Sequence, residues 1–358
     1  MDKYILELYT DYLMTSTSKV TGTGLSNILD NKISHDKITR FLSKEDFTSK
    51  DLWNKVKPSL RKLECSEEGV LIFDDTIEEK AYSDENDLIC WHYDHSIKRN
   101  VKGVNQLTLL YYVKGVSIPV GLDFVKKTKK ELDKKTKKEK RVSEITKNEQ
   151  YRNMLKIAVK DNKIEVKYVL NDSWYTSVDT MNFIHNDLKK MFVMPVKSNR
   201  NVSLSIKDKK AGNYVSVDSL ELKEEITVYL EGMDFPLILS KNILKDQNKK
   251  EVSIYLVTDD LSLDSNKMLE IYQKRWNIEV FFKSMKSNCS YSESPTHTVR
   301  TQSNHFFCSV YSVFKYEMIK INTNLNHFCL KGKIYLNAMK LAMKEICNLN
   351  QLDNFKFA

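Results

Sequence analysis

The chain has 358 residues, 41% of them hydrophobic and 29% charged, which is enough apolar material for a sizeable core spread over two or three domains. That balance excludes a disordered chain, and the absence of any apolar run of about 18 residues excludes a helical membrane span. The net charge of +9 comes from 57 basic and 48 acidic residues.

The charge is unevenly spread. From Lys126 to Arg141 there are ten basic and three acidic residues, leaving only about +2 for the rest. One segment therefore holds the excess, which points to a local polyanion contact rather than a uniformly basic surface. The opening MDKYILELYTDYLM carries acids and no small-residue cleavage site, so no signal peptide is expected and the chain reads as cytoplasmic. Six scattered cysteines without a CxxC pair fit a reducing compartment and argue against a zinc module or a disulfide frame.

Residues 1–66 read as a helical domain. Between Gly24 and Phe47 two apolar-periodic pieces flank a polar break at Asp30, Asn31 and Lys32, and Ser34 is placed to cap the second. Ile38, Phe41 and Leu42 would face inward, with His35, Lys37, Arg40 and Lys44 outward. The pair fits a DNA-binding helix-turn-helix, in which Arg40 would meet DNA, and equally an ordinary helical pair.

From Gly69 the pattern becomes β-rich. GVLIFDDT is an apolar run ending in two carboxylates. QLTLLYYV (106–113) and VSIPVGLDFV (116–125) flank Lys114-Gly115 as a hairpin. The lysine-rich segment follows, read either as a phosphate contact through Lys126, Lys127, Lys129, Lys130, Lys134, Lys135, Lys137 and Lys138, or as a solvated loop or exposed helix. A helix near 148–160, a strand at 165–172, a helix near 178–190 and a strand at 191–197 come next. Residues 198–257 carry strand signals without a long helix, as NVSLSIK, NYVSVDSLEL, EITVYLEG, FPLILSK and EVSIYLVTDD. They read as a β-rich insertion whose last strand could join the core sheet. After Asp264 the chain is helical to about 286, then again over 303–321 and 333–347. The order three strands, helix, strand, helix, strand predicts a mixed α/β sheet.

Three places set carboxylates at the ends or on the faces of elements: Asp74 and Asp75 after the first strand, Asp172 after KYVLN, and Glu279 within the helix that follows the insertion. A strand-end carboxylate lies at the rim of a sheet, where ligands bind in α/β folds. Phosphoryl transfer with two divalent cations requires several hard oxygen donors at one point, and three carboxylates meet that need. The pattern Cys90-x-His92-x2-His95 invites a metal reading, but no matching second pair appears.

The helix holding Glu279 reads YQKRWNIEVFFKSMK from Tyr272 to Lys286. At about 100° per residue, Tyr272, Arg275, Glu279 and Lys286 fall within an arc of about 60°. Ile271, Ile278, Phe281, Phe282 and Met285 cluster beside them, so one stripe packs and an edge presents Tyr, Arg, Glu and Lys together.

That Y-x2-R-x3-E-x6-K pattern resembles the signature helix of bacterial insertion-sequence DDE transposases. Asp74-Asp75-Thr76 is similar to the family's D-x-T motif, Asp172 in NDSWYTS matches its second aspartate, and SPTHTVRTQSNHF (294–306) also looks typical. The resemblance covers roughly 70–320. It implies an RNase H-like mixed-sheet catalytic core over 67–197 and 258–322, with the β-rich insertion at 198–257, the helical domain before it and a helical segment at 323–358 after it. It further implies Asp74, Asp172 and Glu279 as catalytic, metal-binding residues for two Mg2+ or Mn2+ ions, with Asp75 the alternative to Asp74. By the same resemblance Tyr272, Arg275 and Lys286 would hold phosphates of the terminal DNA.

The reaction implied is cleavage at the ends of a mobile element and joining to target DNA, cut-and-paste in type. Its partners would be double-stranded DNA, both terminal inverted repeats and target, with two copies of the chain on the DNA and no membrane, in the bacterial nucleoid. A catalytically silent DNA-binding relative and a nuclease without strand transfer are the competing readings. Some relatives hold a flipped base with a tryptophan in the insertion. Here residues 198–257 contain none, and Tyr214, Tyr229 and Phe235 read either as stacking partners for a base or as sheet packing.

Overall fold

The structure is a computed structural model and describes residues 2–132, 137–222, 224–245 and 251–350. The chain divides into two compact units, one of residues 48–280 and one of residues 1–47 with 281–358.

In the unit of 48–280, helix α4 (Ser49–Leu63) opens on a capping box. Thr48 accepts from the Asp51 N–H, and the Asp51 carboxylate accepts from the Thr48 N–H. Strand β1 (Val70–Glu79) follows, and Val70 to Phe73 are all buried. A continuous apolar run of this kind suits a strand covered on both faces. Strands β2 (Cys90–Asp94), β3 (Arg99–Val113) and β4 (Val116–Phe124) come next. The β3–β4 turn is Lys114-Gly115, both at positive φ (48° and 80°), the conformation a two-residue hairpin with the right-handed strand twist requires.

Strand β1 pairs antiparallel with β3 and parallel with β7 (Tyr168–Asn171), which in turn pairs parallel with β8 (Met191–Val196). The connections carry helix α5 (Lys147–Lys156), extended by a π turn at Ile157–Asp161, and helix α6 (Val178–Asn182), extended by a π turn at Phe183–Leu188. The core order is therefore β4, β3, β1, β7, β8, three antiparallel strands followed by two parallel ones, as the mixed α/β reading expected.

The insertion is built differently from its sequence reading. NVSLSIK is a strand only at β9 (Asn201–Val202), because Ser205 caps a short helix α7 (Ile206–Ala211) by accepting from the Asp208 N–H. NYVSVDSLEL contributes only β10 (Val215–Ser216) and a 3-10 turn at Val217–Ser219. Strands β11 (Ile226–Val228), β12 (Leu237–Lys245) and β13 (Glu251–Thr258) do not form a sheet of their own. β13 pairs antiparallel with β8, and the other two follow it, so the sheet runs to nine strands among the described residues. Pairing with β8 removes an open edge that would otherwise expose a row of backbone donors and acceptors.

Two further elements escaped the sequence reading. β2 pairs with β3, alternating Cys90 and His92 inward with Trp91 and Tyr93 outward. Among the described residues of the lysine-rich segment, β5 (Lys129–Leu132) pairs antiparallel with β6 (Glu139–Val142), where the sequence suggested a loop or an exposed helix. Lys134 and Lys135, expected to meet phosphate, lie outside the described residues.

In the other unit, α1 (Lys3–Thr15) packs with α10 (Val299–Thr323) and α11 (His327–Asn350), α3 (His35–Lys44) packs with α1 and α10, and α2 (Gly22–Ile28) packs on α3. The expected helical domain of 1–66 is thus divided, since α4 packs on β4 while α1 to α3 pack with the C-terminal helices. Ser34 caps α3 as expected, Ile38, Phe41 and Leu42 are buried, and His35, Lys37, Arg40 and Lys44 are exposed. Asp30 and Asn31 turn the chain between α2 and α3 at φ 52° and 59°. Asn304 on α10 closes the end of α3, donating to the carbonyls of Leu42 and Glu45 and accepting from the Phe47 N–H. The His305 imidazole sits between the Tyr9 hydroxyl at 3.0 Å and the carbonyls of Ser290 and Tyr291 at 3.0 and 3.1 Å.

Gly103 marks the tightest approach of β3 to β1, since a Cβ there would lie 2.1 Å from the Glu78 carbonyl oxygen. We expect Gly103→Ala to cost about 1–3 kcal/mol, lowering the melting temperature of thermal unfolding by roughly 3–10 °C. Gly332→Ala, where an added Cβ meets nothing within 4 Å on helix α11, should leave it unchanged or slightly raised.

Candidate active site

The register of β1 and β7 sets the geometry. Phe73 pairs with Asn171, so Asp74 and Asp172 are the next residues along two neighbouring parallel strands, whose spacing is about 4.8 Å. Burial pushes the Asp74 carboxyl well above the usual range, and the charges of Asp172 and Asp75 push it further; Arg275 and the Asp75 N–H oppose them. Burial also raises Asp172, against the N–H groups of Trp174 and Tyr175 and the Arg275 charge. Like charges crowded in a poorly solvated place produce this pattern.

Alternation along β1 sends Asp74 and Asp75 to opposite faces of the sheet. Asp75 lies on the face of Phe73, which stacks on Tyr151 of α5 with ring centroids 4.0 Å apart. There both Asp75 carboxylate oxygens accept from Lys147 Nζ, at 3.1 and 3.0 Å, and Oδ1 also accepts from the Tyr175 hydroxyl. The ammonium of Lys147 stands 4.2 Å over the Trp174 ring.

Asp74 meets the segment that holds Glu279. That segment is not one unbroken helix. Helix α8 (Ser265–Gln273) passes through a 3-10 turn at Lys274–Trp276 into α9 (Asn277–Asn288). Tyr272 is buried rather than set on an exposed edge, with the Arg275 guanidinium 5.8 Å over its ring, and burial pushes its hydroxyl up to about 12. Within the 3-10 turn, Arg275 reaches Asp74 Oδ2 and Glu279 Oε1, each at 3.4 Å. Burial works against the charged guanidinium, but Tyr272, Asp74, Glu279 and Asp172 around it more than offset that and raise its pKa. The Glu279 side chain is 41% exposed. Asp74, Asp172, Arg275 and Glu279 thus form one electrostatic cluster.

Among the described residues, no three of His, Cys, Asp and Glu already stand grouped as an ion cage. At this site the Arg275 guanidinium lies between Asp74 and Glu279, 3.4 Å from each. The donors themselves suit a divalent cation, being hard carboxylate oxygens, and the mutual repulsion of Asp74 and Asp172 is what a dication would relieve. Lys286 lies farther along α9, in the part assigned to the other compact unit.

Cys90 and His92 form no such cage. Their side chains meet at 3.2 Å, burial pushes the thiol up to about 11, and burial with the charges of Lys127 and Lys147 pushes the imidazole down to about 4. Both are neutral near pH 7. Lys126, Lys129, Lys130, Lys137 and Lys138 are exposed on or beside the β5–β6 hairpin. Lys127 donates to the Trp91 carbonyl at 2.5 Å. Arg141 anchors the hairpin, its guanidinium 2.5 Å from Asp87 and 3.7 Å from Glu85. Of the insertion aromatics, Phe235 stacks on His185 at 3.7 Å, Tyr229 bridges Ser203 through its backbone, and Tyr214 lines a cavity of about 660 Å³ with Trp174, Lys197 and Arg200.

Lys147 and Tyr175 carried no readable signal of their own. Lys147 is the first residue of α5, and only the fold brings it to a carboxylate 72 residues away in the chain. Tyr175 could have been noticed as the aromatic three residues after Asp172.

No curated protein matches the chain. The family model described as DDE superfamily endonuclease matches residues 3–212, and the one described as transposase DDE domain matches residues 127–310. The first spans more than half of the chain, and the two together take in both aspartates and the signature segment. With a β1–β7 register that sets two carboxylates side by side, these matches lead to one conclusion: the chain belongs to the DDE superfamily of DNA-cleaving and DNA-joining transposases.

Proposed function

We propose that this protein is a cut-and-paste transposase of a bacterial insertion sequence, acting on DNA in the nucleoid with Asp74, Asp172 and Glu279 as its metal-binding catalytic carboxylates. The observation that carries the reading is the Phe73–Asn171 pairing, which supports a joint role for Asp74 and Asp172. Asp74 is preferred to Asp75 because Arg275 and Glu279 lie toward Asp74, whereas Asp75 is held by Lys147 and Tyr175.

When bound, a pair of Mg2+ or Mn2+ ions would activate the attacking oxygen and stabilise the leaving one. The protein's own residues supply the rest. Asp74 and Asp172 hold hard oxygens where the β1–β7 pairing ends, and Glu279 completes the set from the helix. The fork of Arg275 suits two phosphate oxygens. In the free protein it balances Asp74 and Glu279, and phosphates of the terminal DNA compete for it. Lys286 contributes a point charge to the same strand, and the Tyr272 hydroxyl stays protonated as a donor. The lysines on and beside β5 and β6, with Lys134 and Lys135 of the same lysine-rich segment and Arg40 on α3, bind backbone phosphate. Two copies of the chain assemble on paired element ends, and the target duplex is the second substrate.

Glu279→Gln should reduce cleavage of element-end DNA below about one-hundredth of wild type while leaving end binding unchanged. A chelator should abolish wild-type cleavage, with Mg2+ or Mn2+ restoring it. Equal metal-dependent cleavage by mutant and wild type would remove Glu279 from the site. Replacing Lys126, Lys127, Lys129, Lys130, Lys137 and Lys138 with Gln should weaken binding to all sequences. The slope of log affinity against log salt should become shallower by roughly 0.9 for each phosphate that the hairpin no longer neutralises. An unchanged slope excludes the hairpin from the interface.

A further inference from the structure

Tyr175 touches both Asp172 and Asp75. The backbone N–H of Tyr175 donates to Asp172 Oδ1 at 3.3 Å, beside that of Trp174 at 2.8 Å. The same residue's hydroxyl donates to Asp75 Oδ1. Its ring is buried, edge-on to Phe73 with centroids 4.7 Å apart and to Tyr151 at 5.6 Å. Phe73 is the β1 residue immediately before Asp74, so Tyr175 grips the middle of β1 by packing and by a hydrogen bond while it also fixes the turn after β7.

Lys147 completes the arrangement. It takes both oxygens of Asp75, rests against the Trp174 ring, and is only partly exposed. It offsets part of the charge of a third carboxylate, which crowds Asp74 together with Asp172. Helix α5 is therefore tied to the site at two points, Lys147 on Asp75 and, one turn later, Tyr151 on Phe73.

We infer that Tyr175 and Lys147, acting through Asp75, are positioning residues that hold Asp74 and Asp172 at the spacing a divalent cation requires and keep Asp75 out of its coordination. The inference rests on the proposed roles of Asp74 and Asp172. Partners of ligating carboxylates commonly change metal affinity by about 10–100-fold when removed. Tyr175→Phe removes one hydroxyl and keeps the ring, so packing against Phe73 and Tyr151 is preserved.

The test is Mn2+ binding to the DNA-free protein, read from the free-ion electron paramagnetic resonance signal, alongside the Mg2+ concentration giving half-maximal cleavage at saturating DNA. Tyr175→Phe and Lys147→Met should each weaken Mn2+ binding about tenfold or more. The Mg2+ requirement should rise in parallel, while DNA affinity in the absence of metal stays within about twofold. Lys147→Arg should restore most of the loss. If Tyr175→Phe does not fold, as judged by its thermal transition, Lys147→Met and Lys147→Arg carry the same comparison. Asp172→Asn separates the two levels of the argument. Loss of Mn2+ binding in Asp172→Asn with full affinity in Tyr175→Phe and Lys147→Met overturns the positioning role alone. Full affinity in Asp172→Asn overturns the assignment of the ligands beneath it.

Discussion

Two carboxylates that repel each other, held side by side at the end of paired strands, are the constraint from which the rest of this site follows. Asp74 and Asp172 each directly follow the last pair of the β1–β7 register, Phe73 with Asn171, and both are raised by burial. Such a pair persists only where the surroundings supply compensating charge and donors. Asp172 takes two backbone N–H groups of the turn that follows it. Asp74 takes the Asp75 N–H and a share of Arg275. The guanidinium is itself held in place by the acids that surround it. The cluster is balanced as it stands, and its balance is made of groups suited to exchange for phosphate or cation.

Strand alternation then divides the labour between the two faces of the sheet. One face carries Asp74 toward the 3-10 turn and the helix of Glu279. The other carries Asp75 toward α5, where Lys147, Tyr151 and Tyr175 gather around Asp75 and Phe73. Neighbouring residues of one dipeptide thereby have different environments. The 3-10 turn at Lys274–Trp276 matters for the same reason, since it allows Tyr272 to be buried while Arg275 reaches both Asp74 and Glu279.

Several residues that stand out in the sequence have structural work instead. Asn304 and His305, in the stretch after the signature helix, close α3 and pin Tyr9 through buried hydrogen bonds, as expected where buried polar groups must find partners. Cys90 and His92 satisfy one another as a neutral buried pair. Phe235 is committed to His185. In the lysine-rich stretch Arg141 meets Glu85 and Asp87 and so ties β6 to the segment before β2.

The sequence by itself determined the order of the core elements, the β3–β4 hairpin at Lys114-Gly115, the Ser34 cap with its buried Ile38, Phe41 and Leu42, and the carboxylates to watch. These features are local: apolar period, turn chemistry and capping act over a few residues and leave their mark in neighbouring letters. The strand reading of NVSLSIK failed beyond Val202, where Ser205 captured the Asp208 N–H and turned the chain into a helix. Only the tertiary structure decided that β11 to β13 extend the core sheet, that α4 belongs with β4 and not with α1 to α3, and which of Asp74 and Asp75 faces Arg275. It alone brought Lys147 and Tyr175 to Asp75. Those outcomes depend on which strand edges pair and which face a helix covers, choices made between residues tens to hundreds of positions apart, and no short-range pattern encodes them.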